Sequence, residues 1–178
     1  MKNRILLSTV LSTFAFIGIA NASGETGSGT LGVGADIQGA LQITFTTHAG
    51  GPTLTGSGSN TASLAFGTFS SFSPNTTAGG VTKSSGSGNF SLSASFDVQV
   101  DVANSTSASY NLDATLAAAD ATNTWLIGAT DISDGATHNV LADQSYATPV
   151  ALVLHLTVPN SAAAGSIANS ISFTATGL

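Results

Sequence analysis

The sequence predicts an all-β fold: an immunoglobulin-like antiparallel β-sandwich of about eight or nine strands. Three observations indicate this class. Apolar residues recur at every second position in several segments, which is typical of strands with one buried face. Stretches rich in Gly, Ser, Asn and Pro separate these segments at the spacing found in sandwiches and barrels. No segment shows sustained helical periodicity.

Residues 1–22 have the pattern of a secretory signal peptide. Lys2 and Arg4 form a basic start, and a mostly apolar run follows them. Ala20-Asn21-Ala22 provides the small residues of a cleavage site. The apolar run is too short and too poorly flanked to favour a membrane-spanning helix. We therefore expect a protein that is exported through a Sec-type signal, is secreted or held at the cell surface, and does not insert into a membrane.

The charge and cysteine content exclude several classes of partner and of stabilising bond. Without residues 1–22, Lys83 is the only basic side chain against nine acidic ones, a net charge of −8. Nucleic acids and anionic membranes are bound through clustered Lys and Arg, so we expect neither as a partner. Cysteine is absent, so the fold must depend on packing and backbone pairing instead of disulfides.

The first strand signal lies in Thr30–Phe45, near the start of the mature chain. Apolar residues alternate there with small or polar ones, at Leu31, Val33, Ala35, Ile37, Leu41, Ile43 and Phe45. A long, one-sided strand near a free end is suited to pairing with a neighbouring molecule. We therefore predict a flexible N-terminus with such a strand over residues 23–45 and a β-sandwich domain over residues 46–178.

Further strand signals follow along the chain. Ala62–Phe69 is short and apolar, and Asn89–Val102 has the cleanest alternation. Additional strands are predicted within Ser107–Leu116, Thr124–Ala129, Asn139–Ala142, Pro149–Val158 and Ser166–Thr176. The stretches between them, including residues 73–80 and 83–88, have the composition of turns.

No pattern in the sequence indicates catalysis. No Ser has Gly at both the second preceding and the second following position, so the strained nucleophile elbow is absent. His48, His138 and His155 lack metal-ligand spacing. Asp97 and Asp101 lie on one strand face, about 13 Å apart, too far for a pair of hydrolytic carboxylates. We expect no enzyme, no cofactor and no firm metal site.

Two weaker binding candidates remain. Asp131 and Asp134 precede Gly135 in a turn that resembles an oxygen-rich calcium site, although Asp and Gly are also ordinary turn residues. Trp125 is the only tryptophan, and an exposed ring there would stack on a sugar. Its neighbours Leu126 and Ile127 favour a core position instead.

Sheet edges give a second indication of assembly, after the N-terminal strand. Monomeric β-proteins usually protect their edges with Lys, Pro, bulges or inward-facing charges. This chain has few of these residues, and its strands are long and apolar on one face. Such edges favour pairing with another chain, whereas the alternative is an acidic monomer whose own loops cover its edges.

A signal peptide, an alternating N-terminal strand, an all-β domain and the final run NSISFTATGL together resemble a known layout. It is that of cysteine-free fimbrial (pilin) subunits that assemble by donor-strand complementation, or of related secreted biofilm-matrix fibre proteins. The resemblance implies that an N-terminal extension of one subunit completes the incomplete sandwich of the next. It places the donor within Thr30–Phe45, with pocket-filling side chains at Leu31, Val33, Ala35 and Ile37. It also implies a periplasmic chaperone as a further partner.

We therefore expect a structural subunit that forms homopolymeric surface pili or matrix fibres by β-strand addition and supports adhesion or biofilm. The alternative is a secreted carbohydrate- or surface-binding module that contacts surface glycans. It would use Trp125 and loop aromatics such as Phe69, Phe72 or Tyr146. The first function predicts a homopolymer, and the second predicts a monomer.

Overall fold

The computed structural model describes residues 32, 34–35 and 38–178. Within these residues the chain forms ten β-strands in two antiparallel sheets, with no helix. The predicted all-β sandwich is confirmed, with ten strands instead of eight or nine. The strands are β1 (Ala40–Thr47), β2 (Thr76–Ala78), β3 (Val81–Ser85), β4 (Asn89–Ala103), β5 (Tyr110–Leu116), β6 (Thr124–Ile127), β7 (Thr130–Asp131), β8 (Thr137–Gln144), β9 (Val150–Pro159) and β10 (Ile171–Gly177).

The larger sheet has seven strands and is organised around the long strand β4. Its order is β2-β3-β4-β9-β6-β7, and β1 also pairs with β4. The N-terminal half of β4 pairs with β3, and its C-terminal half pairs with β1, from Ala40 opposite Ala103 to Thr47 opposite Phe96. Strands β1 and β3 therefore lie end to end along one edge of β4, while β9 occupies the other edge.

The smaller sheet contains only three strands, in the order β10-β5-β8. Its central strand β5 buries Tyr110, Leu112, Ala114 and Leu116 almost completely. These side chains pack between the sheets against alternate residues of β4 and β9, including Val98 and Val100. Because three strands face seven, the smaller sheet covers only part of the inner face of the larger one.

The alternation that predicted the long strands is confirmed in the structure. Every second residue of β4 from Phe90 to Val100 is buried, as the periodicity of a half-buried strand requires. The prediction over Asn89–Val102 therefore agrees with β4 to within one residue. The strand predicted within Thr30–Phe45 begins only at Ala40. Residues 32, 34–35 and 38–39, which precede it, are in no strand. The predicted signal peptide lies outside the described residues.

Two predictions along the chain were wrong. Residues 73–80 and 83–88 were assigned to turns, but they contribute the hairpin of β2 and β3. Its two-residue loop is Gly79-Gly80, with φ of 57° and 77°, as a tight hairpin turn requires. Conversely, Ala62–Phe69 is not a strand, since its only ladder contact is an isolated bridge between Thr55 and Ser63. No helix in the described part of the chain is long and apolar enough to cross a membrane.

Candidate strand-binding groove

A groove of about 1440 Å³ lies over the part of the larger sheet that the smaller sheet leaves uncovered. The groove is lined by the edge strand β10, with Ile171 and Phe173, by Leu41 and Ile43 of β1, and by the segment Ala62–Phe69. The floor is apolar and comes from three strands of the larger sheet: Phe90, Leu92 and Phe96 of β4, Leu154, Leu156 and Val158 of β9, and Trp125 of β6.

The floor is shielded from water, although none of the described strands lies directly above it. Its seven side chains are between 3% and 8% exposed. Ala62, Leu64, Phe66 and Phe69 are half-buried and pack against the core. An extended segment without strand pairing therefore replaces, on this side of the sandwich, the sheet that covers the other side.

An aromatic cluster in the lining of the groove connects the two sheets. The ring of Phe45 in β1 lies 5.2 Å from that of Phe173 in β10 and 6.3 Å from that of Phe96 in β4, between ring centroids. The rings of Phe96 and Phe173 are 6.1 Å apart and nearly perpendicular. These separations are typical of favourable aromatic pairs, so the cluster holds β10 against the larger sheet.

The outer edge of β10 carries free backbone groups. Ala117 N donates to Ser170 O at 2.8 Å, and Leu178 N donates to Ser109 O at 2.9 Å, so every second residue from Ser170 bonds toward β5. By the alternation of antiparallel pairing, the N–H and C=O groups of Ile171, Phe173 and Ala175 point away from β5. Among the described residues, no other strand pairs with this edge.

The other sheet edges are better protected than β10. Strands β2 and β7 are only three and two residues long. Strand β8 has register shifts against β5 and contains Asp143 at a φ of 52°. The outer edge of β1 is partly occupied, because Phe45 N donates to Ser59 O and Gly58 N donates to Phe45 O. The seven-residue strand β10 has regular pairing, no charge and no proline, so it is the least protected edge of the described structure.

No family model matches this chain. No curated protein and no solved structure matches it either. The shape and chemistry of the groove are therefore the basis for assigning a function.

The C-terminal part of the predicted donor range Thr30–Phe45 is not free to be donated, because Ala40–Phe45 belongs to β1 and pairs with β4 of the same chain. Three of the four side chains predicted to fill the pocket lie outside the described residues. This applies to Leu31, Val33 and Ile37, whereas Ala35 is described and is exposed, in no strand. The assignment of these four side chains to a donor strand stays a prediction.

Trp125, the candidate glycan contact, lies in the core. Its side chain is 5% exposed and forms part of the groove floor, and its Nε1 donates to Asp120 Oδ2 at 2.9 Å. Burial raises the pKa of the Asp120 carboxyl, but hydrogen bonds from Trp125, Asn123 and the backbone outweigh burial and lower it to about 2. A buried ring with its polar atom engaged cannot stack on a sugar. Among the loop aromatics, Phe72 is 98% exposed.

The candidate calcium ligands are used within their own turn. Asp131 Oδ1 accepts a bond from Ser133 N, and Asp134 Oδ1 accepts bonds from Ala136 N and from the ring of His138. Hydrogen bonds from Ser133 lower the pKa of Asp131, and the hydrogen bond from His138 lowers that of Asp134. No group of three metal-ligating side chains occurs in the described part of the chain. The structure gives no support to calcium binding by Asp131 and Asp134.

Two histidine–aspartate pairs were not recognised in the sequence. His48 Nδ1 lies 2.7 Å from Asp97 Oδ1, and His138 Nε2 lies 2.8 Å from Asp134 Oδ1. The first pair joins residues 49 positions apart, a contact that only the pairing of β1 with β4 brings about. Both pairs are partly exposed, and neither lines the groove between β10 and the larger sheet.

Proposed function

We propose that this protein is an exported structural subunit that assembles into surface pili or extracellular matrix fibres by β-strand addition and so supports adhesion or biofilm. The observation that carries the proposal is the edge of β10, which no strand of the described residues pairs with, beside a groove with an apolar floor. An added strand gains main-chain hydrogen bonds along such an edge, and its alternate side chains enter the groove and determine the register.

The order of the strands supports this proposal. In an immunoglobulin-like sandwich, strands A, B, E and D form one sheet, and C, F and G form the other. Strands β1, β4, β9 and β6 are adjacent in the order A-B-E-D, and β5 and β10 are adjacent as C and F would be. On this correspondence the position of strand G is the one beside β10, where the described residues include no strand.

The proposed occupant is the segment Thr30–Gln38 of a second copy of this chain. Leu31 to Ile37 spans seven residues, the same length as β10, or about 23 Å when extended. The segment places four apolar side chains on one face and Gly32, Gly34 and Asp36 on the other. The apolar face matches the groove floor, and the polar face would remain toward solvent.

Substituting the donor segment tests this function. We expect Ile37→Asp to abolish filaments and larger oligomers of the mature protein, because it places a charge on the face that enters an apolar groove. The matched control is Gln38→Asp, which adds the same charge on the opposite face and leaves assembly intact. Negative-stain electron microscopy and size-exclusion chromatography measure the result. Filaments of Ile37→Asp equal to those of the control, or a wild-type protein that stays monomeric, would overturn the proposal.

A further inference from the structure

We propose that the segment Ala62–Phe69, here called the strap, covers the groove in the unassembled subunit and leaves the groove floor when a strand is added beside β10. This inference rests on the proposed function, because it assigns to the same groove an internal competitor of the incoming strand. The strap is thus a cover that regulates access to the assembly site.

The side chains of the strap are placed as those of a docked strand would be. Ala62, Leu64 and Phe66 alternate with exposed residues and pack against the core from above. All three line the groove, together with floor residues such as Leu92 and Leu156. The low exposure of the floor therefore depends on the strap.

The backbone of the strap, in contrast, is held only at its two ends. At the first end Thr55 and Ser63 exchange two hydrogen bonds, of 3.0 and 2.8 Å. At the other end Ser73 N donates to Ser70 O, and the buried Lys83 Nζ donates to Ser73 O at 2.6 Å. Within the described structure, no hydrogen bond involves the backbone of residues 64–69. The strap is therefore attached by apolar contacts between two fixed points.

A glycine prevents the strap from becoming a regular strand. Gly67 has a φ of 92°, a conformation that strands do not adopt. Half-buried and exposed residues alternate up to Phe66, but the next half-buried residue is Phe69, three positions later. The strap consequently makes no ladder with β10, whose outward N–H and C=O groups have no backbone partner among the described residues. An incoming strand makes the same kind of apolar contact and adds hydrogen bonds to β10, so it displaces the strap.

Peptide binding to an assembly-deficient subunit tests this competition. The probe is a synthetic peptide of residues 28–38, added to the full mature chain carrying Ile37→Asp, which has an intact groove but a defective donor. Fluorescence of Trp125, the sole tryptophan and part of the floor, reports binding. We expect Leu64→Ser in this background to tighten peptide binding roughly fivefold, because it removes a half-buried Leu contact of the competitor. The matched control is Phe72→Ser, which changes an exposed residue beyond the strap and leaves affinity unaltered.

The outcomes separate the two proposals. If no variant binds the peptide, the proposed function fails and the strap proposal fails with it. If the peptide binds but Leu64→Ser and Phe72→Ser have equal affinity, only the strap proposal fails. Should Leu64→Ser not fold, cleavage by chymotrypsin after Phe66 in the unaltered strap gives a second measurement. Cleavage that accelerates on peptide binding supports displacement, and cleavage that slows or stays constant contradicts it.

Discussion

Lys83, the only basic side chain outside the predicted signal peptide, is buried and has no acidic partner among the described residues. It is 1% exposed, and its Nζ donates to Ser73 O and to Ser85 Oγ at 2.8 Å and lies 5.4 Å from the centre of the Phe90 ring. A carbonyl, a hydroxyl and an aromatic face thus replace the carboxylate that usually accompanies a buried ammonium group. The bond to Ser73 also secures the loop that ends the strap.

We expect Lys83→Ala to lower the free energy of unfolding by about 2–4 kcal/mol. The substitution leaves the Ser73 carbonyl without its donor and removes the packing of the long apolar stem. Urea denaturation followed by circular dichroism measures the change. Ser84→Ala, at an exposed neighbour in the same strand, serves as the control and stays within about 0.5 kcal/mol of wild type. A similarly small change in Lys83→Ala would contradict this role.

Asp120 makes the stability of the domain depend on pH in the acid range. Its pKa of about 2 in the folded protein is below the ordinary value of 3.8, so the folded state binds its proton less readily than the unfolded state. The stability that this carboxylate contributes is complete above about pH 4 and is lost as the pH falls toward about 2. We expect unfolding by urea to become easier over this interval, and less so in Asp120→Asn. Equal pH dependence in the two proteins would show that Asp120 does not contribute.

At the scale of elements, local periodicity is informative only where it coincides with strand pairing. Alternation predicted β4 well because this strand has neighbours along both edges and a buried face. The short apolar run Ala62–Phe69 predicted a strand, but its apolar side chains instead pack over an apolar floor, which requires no ladder. Strands β2 and β3 were missed because their polar residues and Gly79-Gly80 match a turn composition as well as a hairpin.

Two proline substitutions in β10 distinguish its inner edge from its outer edge. The N–H of Ala175 points away from β5, so Ala175→Pro removes a donor that only an added strand would use. We expect this variant to fold but not to take up the donor strand. Thr174→Pro removes an N–H that bonds to β5, and we expect it to cost about 2 kcal/mol or more.

Thermal unfolding and filament formation together measure the effect of both substitutions. An Ala175→Pro protein that is folded and still forms filaments would show that the free edge of β10 is not the acceptor. A Thr174→Pro protein as stable as wild type would show that the assignment of inner and outer groups is wrong.

At the scale of the whole molecule, a local pattern near one end of the chain is sufficient to predict assembly. The groove cannot be predicted from such a local pattern. The pattern of Leu31, Val33 and Ile37 is complete within seven consecutive residues. The groove instead depends on which strand lies beside β10, and that is decided by pairings such as β4 with β9, between residues up to 70 positions apart. Single-sequence patterns carry no information on such partners.

Mixing two defective subunits tests the complete arrangement. Ile37→Asp retains the acceptor edge, and Ala175→Pro retains the donor segment, so each would stay monomeric alone. We expect an equimolar mixture to form heterodimers that grow no further, because the dimer has one defective donor and one defective acceptor at its ends. Size-exclusion chromatography with light scattering measures the mass. Longer chains in the mixture, or no complex at all, would contradict the arrangement.

The position of β1 determines how tension would pass through a fibre of these subunits. The proposed donor segment leads directly into β1, whose eight residues are all opposite residues of the central strand β4. A pull along the axis of β1 therefore loads its row of hydrogen bonds together as shear, and does not open them one after another. Because the chain has no cysteine and therefore no disulfide bond, the resistance of the subunit to tension would depend on these hydrogen bonds acting together.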